Sequence, residues 1–251
     1  MFRVGPGGPP GSAHTKDGRE SLLIDLKGYG SLLLDGAQLT VLVGLISMLI
    51  AMLLGLVGSW GKLSKSRIAR TAANLYTTVI RGIPELVLIL LVYYGVPTLI
   101  QDISSAAGME VIIDINPFVA GVATIGFIYG AFATEVFRGA YLAVPNGQME
   151  AARSMGMSAA LTFRRITLPQ MWRFALPGLG NVWMVLIKAT ALISVIQLPE
   201  LMRNADTGAR ATRMPFTFYF TASLIYLAIT IASMIFQQRA EAWASRGVRR
   251  A

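Results

Sequence analysis

Residues 36–61, GAQLTVLVGLISMLIAMLLGLVGSWG, run for 26 positions without one Asp, Glu, Lys or Arg. A helix needs about 20 apolar residues to cross the hydrocarbon of a bilayer, so this run reads as a membrane span. Residues 115–134 (20 uncharged positions) and 214–238 (25 positions) have the same character. Residues 86–101 add 16 more, and 174–199 qualify once Lys188 is accepted inside the segment. Composition agrees: only 14% of residues are charged, against about 25% in a soluble domain. The expected fold is an all-α membrane protein with five transmembrane helices, the first from about Leu32 to Trp60.

The remaining charges are sorted by side. With the N-terminus outside, 14 of the 22 basic residues fall in the inner loops and C-terminal tail, seven lie outside, and Lys188 is within a span. That bias follows the positive-inside rule and predicts an N-terminus outside and a C-terminus on the cytoplasmic side. Arg203, Arg210 and Arg213 run against it. The net charge of +9 is therefore a topology signal, and no nucleic-acid partner is expected. Absence of cysteine excludes disulfides and thiolate metal sites, and the lone His14 lies in a Gly/Pro-rich stretch, so no metal site is expected. Gly61-Lys62 fails as a phosphate-binding loop: Leu63 stands where Ser or Thr is needed and Leu56 where the first glycine belongs. The chain is expected to bind no nucleotide by that route and to have no catalytic residues.

Between the third and fourth spans lies PNGQMEAARSMGMSAALTFRRITLPQMWRFALP, Pro145 to Pro177. Glu150, Ala151, Ala152 and Met155 favour helix, and Gly156 interrupts it. Ser158 is a plausible N-cap for a second short helix, Ala159 to Ile166, which Pro169 should end. Two short helices around a glycine corner make a rigid projection that another protein could grip. Glu150-Ala151-Ala152, then Gly156, then Ile166-Thr167-Leu168-Pro169 resembles the EAA signature of membrane subunits of ABC-type importers. The resemblance implies the type I importer transmembrane domain, with this loop (about 145–175) as the coupling helix that docks into a cytoplasmic ATPase. Glu150, Ala151, Ala152, Gly156, Leu168 and Pro169 would form the contact, Glu150 meeting a basic residue of the ATPase.

Three further blocks resemble the polar amino-acid permeases of this superfamily, most of all the Q-type subunits for histidine, lysine, arginine and ornithine. They are Arg81-Gly82-Ile83-Pro84-Glu85-Leu86 with Tyr93-Tyr94-Gly95, the run Tyr129 to Gly139, and Ala175-Leu176-Pro177 to Asn181 with Lys188-Ala189-Thr190-Ala191-Leu192. Ile196-Gln197, where the family often has glycine, departs from the pattern. The expected layout is a disordered or amphipathic tail (1–28), the transmembrane domain (29–240) and a basic cytoplasmic tail (241–251). The resemblance implies a bacterial inner-membrane location and a second permease subunit, homologous or identical. It also implies two ATPase subunits carrying ATP and Mg, and a periplasmic amino-acid-binding protein.

A charge inside a span costs at least about 2.5–3.5 kcal/mol, so each needs a reason. Glu135 either pairs with Lys188 or Arg138, or faces the pathway and attracts a cationic substrate. Glu85, after the Gly82–Pro84 break, is either a first-turn acid favoured by the helix dipole or a second pathway carboxylate. Tyr129 could stack on a substrate cation or simply pack. Thr134 and Asn181 could face a substrate or bond between helices. The expected function is uptake of a polar, basic amino acid or of an opine. An ion-coupled secondary transporter is the rival, and it leaves the loop unexplained.

Overall fold

The computed structural model describes residues 26–109 and 113–244. Residues 1–25 of the expected N-terminal tail and 245–251 of the basic tail lie outside the described residues. Among the described residues there is helix and no strand: α1 (Gly30–Leu63), α2 (Arg67–Gly82), α3 (Glu85–Leu90), α4 (Val96–Ala106), α5 (Pro117–Leu142), α6 (Asn146–Ser154), α7 (Ala159–Thr162), α8 (Leu168–Ala189), α9 (Leu201–Thr212) and α10 (Pro215–Ala244). Five helical stretches are long and apolar enough to cross a membrane: Gly30–Leu63, Glu85–Ala106, Pro117–Leu142, Ala159–Ile196 and Pro215–Ala244.

α1 and α5 form the spine. They run in the same direction, since Ser47 meets Val122, Ile50 meets Gly126, and Gly55 meets Ala133 in ascending order. A Cβ on Gly55 would stand 2.6 Å from the Ala133 Cβ, so only glycine lets the two backbones approach this closely. The Ser47 hydroxyl donates to the Val122 carbonyl at 3.2 Å, the kind of interhelical bond that contributes about 0.6 kcal/mol inside a bilayer. α8 packs antiparallel on α5, burying Met171, Ala175 and Leu179 against Phe137, Ala140 and Val144. α10 buries only Phe218, Thr221 and Ala222 and leaves most of its apolar surface outward.

The second pass departs from the sequence expectation. Gly82-Ile83-Pro84 reads as a boundary before the span, with Arg81 at the water surface. In the structure α2 packs along α1 and α5: Ala73 sits by Gly61, and the Tyr76 hydroxyl donates to the Phe127 carbonyl at 2.6 Å. The break therefore falls beside the middle of α5, and Arg81, in the last turn of α2, lies over the Phe132 ring. Ile83 and Pro84 are extended, after which α3, a π-helical turn at Leu91–Gly95 and α4 complete the pass. α2 reads as too polar for a span, but its buried face (Ala73, Thr77) is small enough to lie against neighbouring helices.

At the end opposite the 145–167 loop, α9 lies as an amphipathic cap. Leu201, Asn204, Ala205, Gly208 and Ala209 recur at helical spacing and are buried. Asn204 donates to the Leu32 carbonyl at 2.8 Å, tying α9 to the start of α1. The outward face holds Arg203, Asp206 and Arg210, with Asp206 2.9 Å from Arg210 and 3.9 Å from Arg203. Hydrogen bonding to Arg210 holds the Asp206 carboxyl below the usual carboxylate range. Two of the basic residues that run against the charge bias are thus partly offset by one acid.

Candidate functional site

The loop is built as a capped projection. The nine-residue α6 ends in a Schellman turn: the Gly156 amide donates to the Arg153 carbonyl at 2.9 Å, and the Met157 amide to the Ala152 carbonyl at 3.1 Å. Gly156 sits at φ +81°, where a side chain is strained, so the corner depends on glycine. Ser158 then caps α7, its hydroxyl accepting from the Leu161 amide at 3.3 Å. Ala152 is buried while Glu150, Ala151 and Gly156 are exposed, and Met155 is 81% exposed. The corner thus carries a large apolar side chain that its own chain does not cover.

Pro169 does not end a helix, contrary to expectation. A π-helical turn at Phe163–Thr167 carries α7 directly into α8, and the whole stretch Ala159–Ile196 is continuous. The Leu168 amide reaches back five residues to the Phe163 carbonyl, and this wider turn accommodates the ring that would clash in a regular helix. Leu168 and Pro169 remain exposed on the same side of the molecule as α6, which is joined to α8 by a Gln170–Gln148 side-chain hydrogen bond. A displacement of the loop is therefore transmitted into the fourth span without an intervening hinge of loop residues.

The proposed pathway residues separate into four groups. Thr134 is fully buried, donates to the Gly130 carbonyl at 2.8 Å, and faces Gly58 of α1, so it packs the spine and does not line a pathway. Glu135 is held by Lys62 of α1 and by Arg138, whose Nε lies 2.9 Å away, and it does not touch Lys188. This ion bridge clamps the loop ends of the first and third spans. Lys62 was not legible as its partner because 73 residues separate them in sequence.

Asn181 and Lys188 lie two turns apart on one exposed face of α8. Tyr129 and Glu85 form the last group: the buried Tyr129 hydroxyl donates to Glu85 Oε1 at 2.9 Å, while the Glu85 side chain remains half-buried and open on its other side. Tyr129 is 12 residues from Pro117 and 13 from Leu142, so this contact lies roughly 18–20 Å from either end of the third span, near mid-membrane.

Sequence reasoning missed Glu200, whose side chain is fully buried. Its carboxylate accepts from the Met202 amide at 2.9 Å, the Arg203 amide at 2.7 Å and the Tyr226 hydroxyl at 3.1 Å, with the Thr40 hydroxyl at 3.4 Å. Burial pushes its pKa up to about 7. It caps α9 while joining α1 to α10. The only sequence signal is an acid at the position preceding a helix. Among the described residues no cluster of His, Asp and Glu could hold a metal.

Five spans, a discontinuous second pass and an exposed helical loop define a membrane-embedded permease subunit. The chain belongs to the family of binding-protein-dependent transport system inner membrane components, whose model matches residues 37–246. It is 45% identical over 208 residues to the histidine/lysine/arginine/ornithine transport system permease protein HisQ of Salmonella typhimurium, covering 83% of this chain and 91% of that one. It is 48% identical over 223 residues to the nopaline transport system permease protein NocQ of Agrobacterium fabrum, covering 88% and 94%. A crystal structure of an amino-acid ABC transporter with histidines superposes at TM-score 0.75 with 32% identity, covering 87% of this chain and 97% of that chain. The MetNI methionine ABC transporter, at TM-score 0.65 and 17% identity, shares the fold.

Proposed function

We propose that this chain forms half of the translocation pathway of an ATP-driven importer for basic amino acids: histidine, arginine, lysine and ornithine. The observation that carries the reading is the Schellman-capped corner at Gly156, which presents Glu150 and an uncovered Met155 at the head of a continuous helix into the fourth span. Energy then comes from partners. Two cytoplasmic ATPase subunits bind ATP and Mg, one gripping this loop, while this chain binds no nucleotide and performs no catalysis. A second permease subunit, a homologue or a copy, covers the polar face of the second pass. A periplasmic binding protein delivers the substrate. The N-terminus is periplasmic and the C-terminus cytoplasmic, in the bacterial inner membrane. ATPase closure would move α6 and rock the spans between outward- and inward-open states.

The basic substrate class rests on the relatives and on the acid at mid-membrane. Import of an opine is the second reading, favoured by the 48% identity to the nopaline permease. The test is uptake by the reconstituted complex. Glu150→Ala and Gly156→Ala should each uncouple ATP hydrolysis from uptake while leaving membrane insertion intact. Unchanged uptake in both variants, or uptake that persists without ATP under a clamped ion gradient, would refute the proposal.

A further inference from the structure

At the α9 end, α1 and α10 are drawn together, because Thr40 and Tyr226 both reach Glu200. Toward the loop side a furrow opens between them, with α8, which packs on both, as its floor. Its main part has a volume of about 580 Å³ and is walled by Met48 and Met52 of α1, Trp172 and Trp183 of α8, and Ile229 and Phe236 of α10. At the loop end it continues, past Trp172, into a second hollow of about 480 Å³ that adds Arg173 and Trp243.

Among the described residues lining this furrow, only Glu241 and Arg173 are charged, and both stand at the loop end beside Trp172 and Trp243. Glu241 accepts from the Gln237 amide through Oε1 at 2.8 Å, and its Oε2 has no partner among the described residues. Arg173 has no hydrogen bond or ion pair to any described residue, so acid and base share one mouth without pairing. From Glu241 to Ile229 is 12 residues of α10, about 18 Å of helix. One leaflet of the hydrocarbon core is about 15 Å deep.

Tryptophans gather at the headgroup level of a bilayer, which places Arg173 and Glu241 there. Interfaces between membrane helices favour small residues that let backbones approach. Here the floor carries two tryptophans, and its glycine, Gly180, is already covered: a Cβ on it would stand 2.2 Å from Gln237 Cδ. An apolar slot one leaflet deep with a base and an acid at its mouth fits a lipid of mixed charge. A guanidinium binds phosphate through its planar fork. A free carboxylate oxygen accepts from a primary ammonium, whereas a trimethylated amine has no N–H to donate.

We propose that this furrow binds a phospholipid with a primary-amine headgroup, a phosphatidylethanolamine, from the loop-side leaflet. Arg173 takes the phosphate, Glu241 takes the ammonium, and an acyl chain lies between α1, α8 and α10. The assignment does not depend on the importer reading.

The test is native mass spectrometry of the assembled complex titrated with phosphatidylethanolamine, phosphatidylcholine and phosphatidylglycerol of identical acyl chains. All three carry the phosphate; the second has no N–H on its amine, and the third has no cation. The first should bind about tenfold more tightly than either of the others, the worth of one charge-assisted hydrogen bond. Glu241→Gln keeps the bond to Gln237 and should erase that preference, whereas Arg173→Gln should weaken all three lipids alike. Ala232→Trp, at an exposed position in the furrow, should expel all three with both charges intact. Equal affinity of the wild type for the three lipids, or undiminished binding in Ala232→Trp, would overturn the inference. The chain has no cysteine, so a photo-cross-linker carried on Ser233→Cys reports what fills the furrow. Attachment to lipid supports the assignment; attachment to another subunit overturns it.

Discussion

Two carboxylates, Glu200 and Glu85, have surroundings that are opposite in kind. Glu200, under α9, is enclosed completely and receives two backbone amides and a tyrosine hydroxyl from its own chain. Glu85, at the break in the second pass, receives one tyrosine hydroxyl and leaves an oxygen open. The first arrangement spends an acid on joining three helices; the second keeps one available. Buried polar groups that are fully bonded specify structure, whereas one left half-satisfied marks a place where something else binds. Substitution at the two positions should therefore act on different quantities.

The largest effect is expected at the enclosed acid. Glu200→Ala removes the cap from α9 and strands the Met202 and Arg203 amides and the Tyr226 hydroxyl. Loss of an N-cap alone costs about 0.5–2 kcal/mol, and stranded buried donors add about 1–3 kcal/mol. The detergent-solubilised subunit should lose several degrees of melting temperature by thermal size-exclusion. A change below one degree would mean that the site is not the joint described.

A smaller effect is expected from pH. The Glu200 pKa is raised to about 7 in the folded protein, above its unfolded value. The folded state then binds more protons between the two values, so stability should rise as pH falls from about 8 toward 5, by at most about 1.4 kcal/mol per pH unit. Asp206 acts in the other direction and lower: its pKa is depressed, so its contribution is lost only as pH falls through the acidic range below its unfolded value. Melting curves from pH 5 to 8 should show the rise in the wild type and a flat response in Glu200→Gln. An equal slope in both would assign the effect elsewhere.

The same contrast explains what could be read from the chain. Hydropathy counts residues that face lipid or core, so the uncharged runs 36–61, 115–134 and 214–238 announced α1, α5 and α10 directly. The loop helix and its glycine corner were legible because a Schellman turn is a local motif, complete within Glu150 to Met157. α2 was not, because Arg67, Arg70, Asn74 and Arg81 lower its hydropathy and remain exposed, while only the small face of Ala73 and Thr77 is buried against its neighbours. Pro169 misled for a different reason: a π turn absorbs the ring clash, and nothing in the residue order marks that turn. Glu200 looked like any acid in a polar connection until Thr40 and Tyr226 were brought to it from opposite ends of the chain. Pairings of long sequence separation were the part that residue order withheld.

The smallest stability change is expected where the functional change is largest. Glu85→Gln keeps an acceptor for the Tyr129 hydroxyl and removes a charge that its own chain does not neutralise. The lost charge-assisted bond costs about 1 kcal/mol or less at a half-open site, and relief of desolvation works against that cost. Melting temperature of the isolated subunit should therefore stay within about a degree of wild type, or rise, while recognition of basic amino acids by the complex weakens. Sites kept for ligands are commonly stabilised by substitutions that abolish their use. Should Glu85→Gln instead destabilise the isolated subunit as much as Glu200→Ala does, the two carboxylates would be structural joints of one kind, and the open oxygen would lose its meaning.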